Sequence, residues 1–341
     1  MHNHRVFPFL NAIQIAFFFS FIFLAWAQST PVHWLLMDQQ RLPAEEVTTM
    51  AQDDIGNRYF GTKKGLSQVT KSGSFQIFTR ESSKGKLGSD SVTCLAVDPY
   101  RGLWVGTDGG GLSVYVNGSW SRYTKASTGG GLPDDGVLAM AIRKEEHWIA
   151  TRNGFAVLRG GVWTPFTGDL ISGRLPNRVA TSIAADSTGN IWIGTIGGLV
   201  MMSGSRWNLW TQANTQGGLP HNGITSLLVD KKGSLWVGTQ TGLVQREVTG
   251  KWISHQKHAE LGDLEKEVTY SISMSYNGDV WACLKGGAAR YSNQRWEVFS
   301  KNNTTGLLTR FIYFVLPSTG QDIWFATGKG VAIMTPANNE D

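Results

Sequence analysis

The chain has little cysteine, little proline and little charge. Of its 341 residues, 2 are cysteines, 10 are prolines, and 17% are Asp, Glu, Lys or Arg. Two cysteines allow at most one bridge, which excludes a disulfide-stapled scaffold. With a formal net charge of +5 (+4 without Arg5) and no Lys/Arg run, nucleic acid is a poor partner. Catalytic signatures are lacking too. There is no Gly-x-Ser-x-Gly elbow and no phosphate loop with its lysine. Gly109-Gly110-Gly111 and Gly129-Gly130-Gly131 have no helix pattern behind them and read as turns. After the N-terminal segment no second bilayer-length apolar run occurs.

The N-terminal segment itself reads as an export signal over residues 1–27. His2, His4 and Arg5 precede an apolar stretch from Ile13 to Ala25, and Ala25-Trp26-Ala27 places small residues at −3 and −1. Cleavage there predicts a periplasmic or secreted chain starting at Gln28, with no membrane span left. The competing reading is an uncleaved N-terminal anchor, because Val6 to Ala27 is about long enough to span a bilayer. Asn11, Gln14 and the Ala-x-Ala site favour cleavage.

What the chain has in quantity is glycine and tryptophan, 41 and 14 residues respectively. The tryptophans are periodic. Trp104-Val105-Gly106-Thr107 recurs as Trp148-Ile149-Ala150-Thr151, Trp192-Ile193-Gly194-Thr195 and Trp236-Val237-Gly238-Thr239. Weaker copies are Tyr59-Phe60-Gly61-Thr62, Trp281-Ala282-Cys283-Leu284 and Trp324-Phe325-Ala326-Thr327. The anchors at 59, 104, 148, 192, 236, 281 and 324 lie 43 to 45 residues apart, which makes seven copies. In the fourth copy Ala180–Ala185, Ile191–Thr195, Leu199–Met202 and Arg206–Thr211 read as strands separated by Gly-bearing turns. Four antiparallel strands per repeat of this length form a propeller blade.

The predicted fold is therefore all-β, a single seven-bladed β-propeller over residues 28–341. A row of flat blades would expose unpaired edges, and the termini indicate how the ring closes. The seventh copy shows only three strands, ending at Val331–Met334. Val32–Met37 carries the pattern of an outer strand such as Trp120–Tyr123 and precedes Leu42-Pro43. The N-terminal strand is expected to complete the last blade. Cys94 and Cys283 fall in non-adjacent blades and are expected to be buried thiols. The tryptophans are expected to pack between blades. Asp53, Asp98, Asp186 and Asp230 share one turn position and read as turn caps.

The unit Leu-Pro-x-x-x-Val-x-x-(Ile/Leu)-x-x-Asp-x-x-Gly-x-(Ile/Leu)-Trp-(Ile/Val)-Gly-Thr resembles the two-component regulator propeller repeat. Leu219-Pro220 through Ile224, Leu227, Asp230, Gly233 and Leu235–Thr239 follow it nearly throughout. Copies two, four and five match well, one and three less so, and six and seven are degenerate; the likeness covers roughly residues 31–336. The resemblance implies a sensing module of the kind found outside the cytoplasm in hybrid histidine kinases that detect glycans. With no kinase or receiver pattern up to Asp341, phosphotransfer is not implied.

Two sets of loops are expected to crowd one end of the channel. The turns between second and third strands carry Lys63, Lys64, Asp108, Arg152, Asn153, Gln240, Lys285 and Lys329. The links entering each blade carry Glu45, Glu46, Asp90, Asp134, Asp135, Glu265 and Glu267, with Arg178, Lys266, Arg310 and His221. This pattern predicts a funnel with a basic rim and carboxylates deeper in, suited to an anionic or polyhydroxyl ligand. The bland alternative is that polar residues simply collect at solvated turn tips.

An acid–base pair could be drawn from Asp90, Asp134 and Glu265, but no spacing selects one. His33, His147, His221, His255 and His258 read as scattered surface side chains, so neither metal nor cofactor is expected. Three functions remain open: a non-catalytic sensor binding a small molecule or oligosaccharide, an envelope-protein scaffold, or a propeller lyase or hydrolase. A sensor of this kind would feed a separate envelope partner such as a sensor kinase.

Overall fold

The computed structural model describes residues 32–37, 39–168, 171, 173–255, 261, 267–304, 307–318 and 322–336. The proposed signal, Glu265, Lys266 and His258 lie outside them. Seven four-stranded antiparallel sheets follow one another along the chain. The inner strands are Val47–Gln52, Val92–Asp98, Val137–Arg143, Ala180–Ala185, Ile224–Val229, Thr269–Met274 and Ile312–Pro317, heading blades 1 to 7. Each lies beside the next, and the inner strand of blade 7 lies beside that of blade 1. The ring is closed.

Closure uses both termini, as the sequence predicts. Val32–Leu36 is the outermost strand of blade 7 and runs antiparallel to Gly330–Pro336, with Val32 opposite Pro336 and Leu36 opposite Ala332. The Met37 N–H continues the ladder to the Val331 carbonyl at 2.9 Å. Blade 7 thereby gains a paired edge instead of an open one.

The core lies between the blades. Among the described residues there are seven clusters of buried apolar side chains, one at each seam. Trp236 and Trp281 are 1% exposed, and Phe60, Phe155 and Phe325 are fully buried. The outer-strand tryptophans lean on the preceding blade: Trp120 packs edge-on against Phe78 at 5.3 Å, and Trp163 against Tyr123 at 5.6 Å. Both cysteines are free, and burial pushes their thiols up to about 12. Cys283 is buried, whereas Cys94 is half-buried rather than fully enclosed.

The repeated Gly-Thr follows from the turn after the second strand. The threonine hydroxyl donates to the carbonyl of the glycine that opens the third strand, for example Thr151 to Gly154 at 2.8 Å and Thr195 to Gly198 at 2.8 Å. Gly154 has φ +94°, and a Cβ there would lie 2.1 Å from the Phe166 carbonyl oxygen. The turn aspartates cap as expected. Asp186 accepts backbone N–H groups from Thr188 and Asn190, and the Trp192 indole N–H at 3.3 Å. Burial would raise its pKa, but the hydrogen bonds from Thr188, Asn190 and Trp192 outweigh that and hold it below the usual carboxylate value.

Two histidines do not follow the sequence expectation of surface placement. His147 is 2% exposed, stacks on Trp104 at 4.0 Å, and sets Nε2 2.6 Å from Asp98 Oδ2. Asp98 thus reaches into the next blade instead of bonding its own tryptophan, while capping Tyr100 and Arg101. His255 is 1% exposed and stacks on Trp236 at 4.7 Å. A flat ring next to a seam tryptophan buries well, and nothing in the local spacing signals that.

Candidate functional site

Every inner strand carries the same irregularity near its start. The pairing with the second strand skips one residue, giving a β-bulge in each of the seven blades. The skipped residues are Thr48, Thr93, Leu138, Thr181, Thr225, Tyr270 and Tyr313. A bulge leaves its extra residue outside the ladder and re-aims its side chain. Six of the seven, all but Tyr313, line a cavity of about 530 Å³ at the channel mouth.

Four of these residues are threonines with a common task. Thr93 donates to the Val137 carbonyl at 2.5 Å, Thr181 to Ile224 at 2.7 Å and Thr225 to Thr269 at 2.5 Å, each on the next blade. Thr48 shares its hydroxyl between the Gly61 carbonyl of its own blade at 3.3 Å and the Val92 carbonyl of the next at 3.4 Å. The residue that accepts also presses its side chain against the glycine of the repeat: a Cβ on Gly194 would sit 2.6 Å from Ile224 Cγ2, and one on Gly106 2.8 Å from Val137 Cγ1. Threonine and glycine together therefore clamp seams 1/2, 2/3, 4/5 and 5/6. Blades 3, 6 and 7 have Leu138 with Ala150, Tyr270 with Cys283, and Tyr313 with Ala326 instead.

Tyr270 and Tyr313 pair across the 6/7 seam with ring centroids 5.5 Å apart. Burial, reinforced by Glu267 beside Tyr270 and by Glu46 beside Tyr313, pushes both phenols above their ordinary value. They are therefore neutral donors at physiological pH. On the opposite arc stand threonine hydroxyls, Leu138 and the half-exposed Ile196.

Of the site residues expected from sequence, Lys63, Asp108 and Gln240 line the cavity. The predicted layering of charge is overturned, because cations and carboxylates sit side by side. Lys63 pairs with Glu46 at 2.8 Å, Arg152 with Asp108 at 2.8 Å, and Lys285 with Glu267 at 3.8 Å. The hydrogen bond to Glu46, then its charge, raises the pKa of Lys63. All three pairs are largely exposed, so each contributes at most about 1 kcal/mol to stability. Their main effect is to neutralise Lys63, Arg152 and Lys285. Among the described residues Lys64 and Lys329 make no ion pair; their N–H groups close the turns onto Thr62 and Thr327.

The link residues turn out to brace the backbone. Asp90 accepts the Arg80 N–H at 2.6 Å, Asp134 the Gly136 N–H at 2.8 Å, and His221 Nδ1 the Gly223 N–H at 2.8 Å. Asp135 does likewise for Lys125. Side chains just before a strand are well placed to cap the link that precedes it, which ties up the lone pairs a ligand would need. Asn153 sits in its turn, with its N–H on Thr151, and the Arg178 carbonyl holds the Gly154 N–H. Arg310 lies over Phe311 at 5.3 Å. None of these lines the cavity.

Sequence reasoning missed the bulge residues. A signal for them exists: aligning the seven copies puts Thr48, Thr93, Leu138, Thr181, Thr225, Tyr270 and Tyr313 in one column, directly after the first residue of the inner strand.

The profile of the two component regulator propeller matches residues 86–109, 174–197 and 218–241, within copies two, four and five. Curated protein sequences give no match. Among solved structures the chain is similar to the extracellular domains of two hybrid two component systems of B. thetaiotaomicron. One is 18% identical with TM-score 0.77 over 90% of this chain and 42% of that one; the other is 21% identical with TM-score 0.69 over 92% and 40%. The chain thus spans about two-fifths of the length of those domains. Virginiamycin B lyase from Staphylococcus aureus is also similar, at 14% identity and TM-score 0.66 over 89% of this chain and 99% of the lyase. At these identities the likeness concerns the fold.

Proposed function

We propose, from the two component regulator propeller repeat matched at residues 86–109, 174–197 and 218–241, that the chain is a non-catalytic, extracytoplasmic binding propeller. It holds a neutral, polyhydroxylated ligand such as an oligosaccharide at the channel mouth and feeds a separate signalling partner in the envelope. The observation that carries this reading is the asymmetry of the bulge ring. Tyr270 on one side of a cavity of about 530 Å³, backed across the seam by Tyr313, offers a ring face to stack on a sugar, and hydroxyls on the other side offer hydrogen bonds. The pairing of Lys63, Arg152 and Lys285 favours a neutral ligand over an anion there, since a bound anion would have to compete with Glu46, Asp108 and Glu267 for these cations. The signal-like pattern of residues 1–27 and the extracellular setting of the similar B. thetaiotaomicron domains support the location.

Calorimetry and thermal shift against neutral and uronate-containing oligosaccharides test the reading. A neutral oligosaccharide should bind, and Tyr270→Ala with Tyr313→Ala should weaken it at least tenfold. Binding by acidic sugars alone, indifferent to the tyrosines, contradicts it, as does no binding by any oligosaccharide.

A further inference from the structure

A second cavity, about 410 Å³, opens between blades 1 and 2 on the face of the first-to-second-strand turns, away from the channel mouth. Asp53, Asp54, Asp98, Tyr59, Tyr100 and Tyr115 are in its wall, and no Lys, Arg or His is among its lining residues.

Three of the other six seams cover their aromatic anchor with a cationic or imidazole side chain of the following blade, whereas seams 3/4, 5/6 and 6/7 have Ile191 with Met202, Val280 with Tyr291 and Ile323 with Met334 at those positions. Arg58 of blade 1 places its guanidinium 4.3 Å from the Trp324 ring of blade 7. His147 of blade 3 stacks on Trp104 of blade 2 at 4.0 Å, and Arg246 of blade 5 lies 5.5 Å from Trp192 of blade 4. Arg58 and His147 occupy the position just before the anchor of their own blade. Arg246 stands on the third strand opposite that same position, paired with Leu235. In blade 2 the two corresponding residues are Leu103 and Tyr115, which face each other in register. Tyr59 thus has no basic cover, and as a tyrosine in a tryptophan position it fills less of the seam.

The acidic partners are nonetheless in place. Asp53 is held by Asn57 and the Tyr59 hydroxyl at 2.9 Å, and Asp98 is 3% exposed behind the opening. Asp54 is exposed and, among the described residues, makes no ion pair. Tyr100 is 93% exposed at the entrance.

We propose that this cleft binds a guanidinium group supplied from outside, seated on Tyr59 and Tyr115 and facing Asp54, as Arg58 and Arg246 do from within at their own seams. Aromatic faces and carboxylates together are the surroundings a planar cation prefers. The site is separate from the channel mouth and does not depend on the ligand proposed there.

The test titrates the full chain with the peptide Gly-Gly-Arg-Gly-Gly, the same peptide carrying citrulline for arginine, and methylguanidinium, followed by ligand-observed NMR. The arginine peptide should bind at least tenfold more tightly than its neutral citrulline isostere. Asp54→Asn should weaken it at least threefold, and Leu103→Arg, which fills the slot from within, should abolish it. Tighter binding of the peptide than of methylguanidinium points to an arginine of a partner protein; equal binding points to a free small cation. Should Leu103→Arg fail to fold, Asp54→Asn at its exposed position still decides. Equal binding of the citrulline peptide, no binding of either cation, or an Asp54→Asn variant that binds unchanged overturns the proposal.

Discussion

Blades 1, 2, 4 and 5 differ from blades 3, 6 and 7 at two positions that move together. The first group has a threonine on the bulge and a glycine at the end of the second strand; the second group has Leu138, Tyr270 or Tyr313 with Ala150, Cys283 or Ala326. In the first group one residue of the following blade is gripped twice, its carbonyl by the threonine and its side chain by the space over the glycine. There the bulge side chain is occupied in holding the ring together. In the second group that hydrogen bond is absent; Leu138 and Tyr270 are left to face the channel mouth, and Tyr313 packs against Tyr270. Regular seams hold the ring, and irregular ones are where recognition can be built.

The largest way to break this comparison is to fill a clamped glycine. Gly194→Val would drive methyl groups into Ser182 and Ile224 and should cost about 3 kcal/mol in a denaturant melt. Next comes the tyrosine pair. Tyr270→Ala with Tyr313→Ala should lower oligosaccharide affinity at least tenfold, about 1.4 kcal/mol, as measured by calorimetry. Thr225→Val removes the clamp to Thr269 while keeping the volume, and should cost about 1 kcal/mol of stability in a denaturant melt. Arg152→Gln should change stability by under about 0.5 kcal/mol, because its pair with Asp108 is half in solvent.

The comparison also has a pH signature. Tyr270 and Tyr313 have phenol pKa values above the ordinary 10 in the fold. Above about pH 10 the unfolded chain releases these protons more readily than the folded one, so stability falls as pH rises from there through the folded values. Below pH 10 this contribution is fully present. Replacing both tyrosines by phenylalanine should flatten that part of a stability–pH profile.

The fold was legible because a propeller repeats its chemistry. One Trp-x-Gly-Thr column fixed the blade count, and the missing last strand pointed to Val32–Leu36. The candidate site was legible only in part. Charges at turn tips are visible in sequence, but whether Arg152 meets a ligand or Asp108 depends on how neighbouring blades are set. Asp90, Asp134 and His221 looked available because their capping duty depends on backbone geometry. Tyr270 and Tyr313 were hidden for the opposite reason: strands are rich in tyrosine, and only the bulge takes these two out of the ladder.

Hydrogen–deuterium exchange, with and without a bound neutral oligosaccharide, tests the central claim most directly. The account predicts added protection around residues 47–49, 92–94, 269–271 and 312–314, where the bulges ring the channel mouth, and none at 53–57 or 98–102. Protection confined to outer strands, or to the turns of the other face, would contradict it.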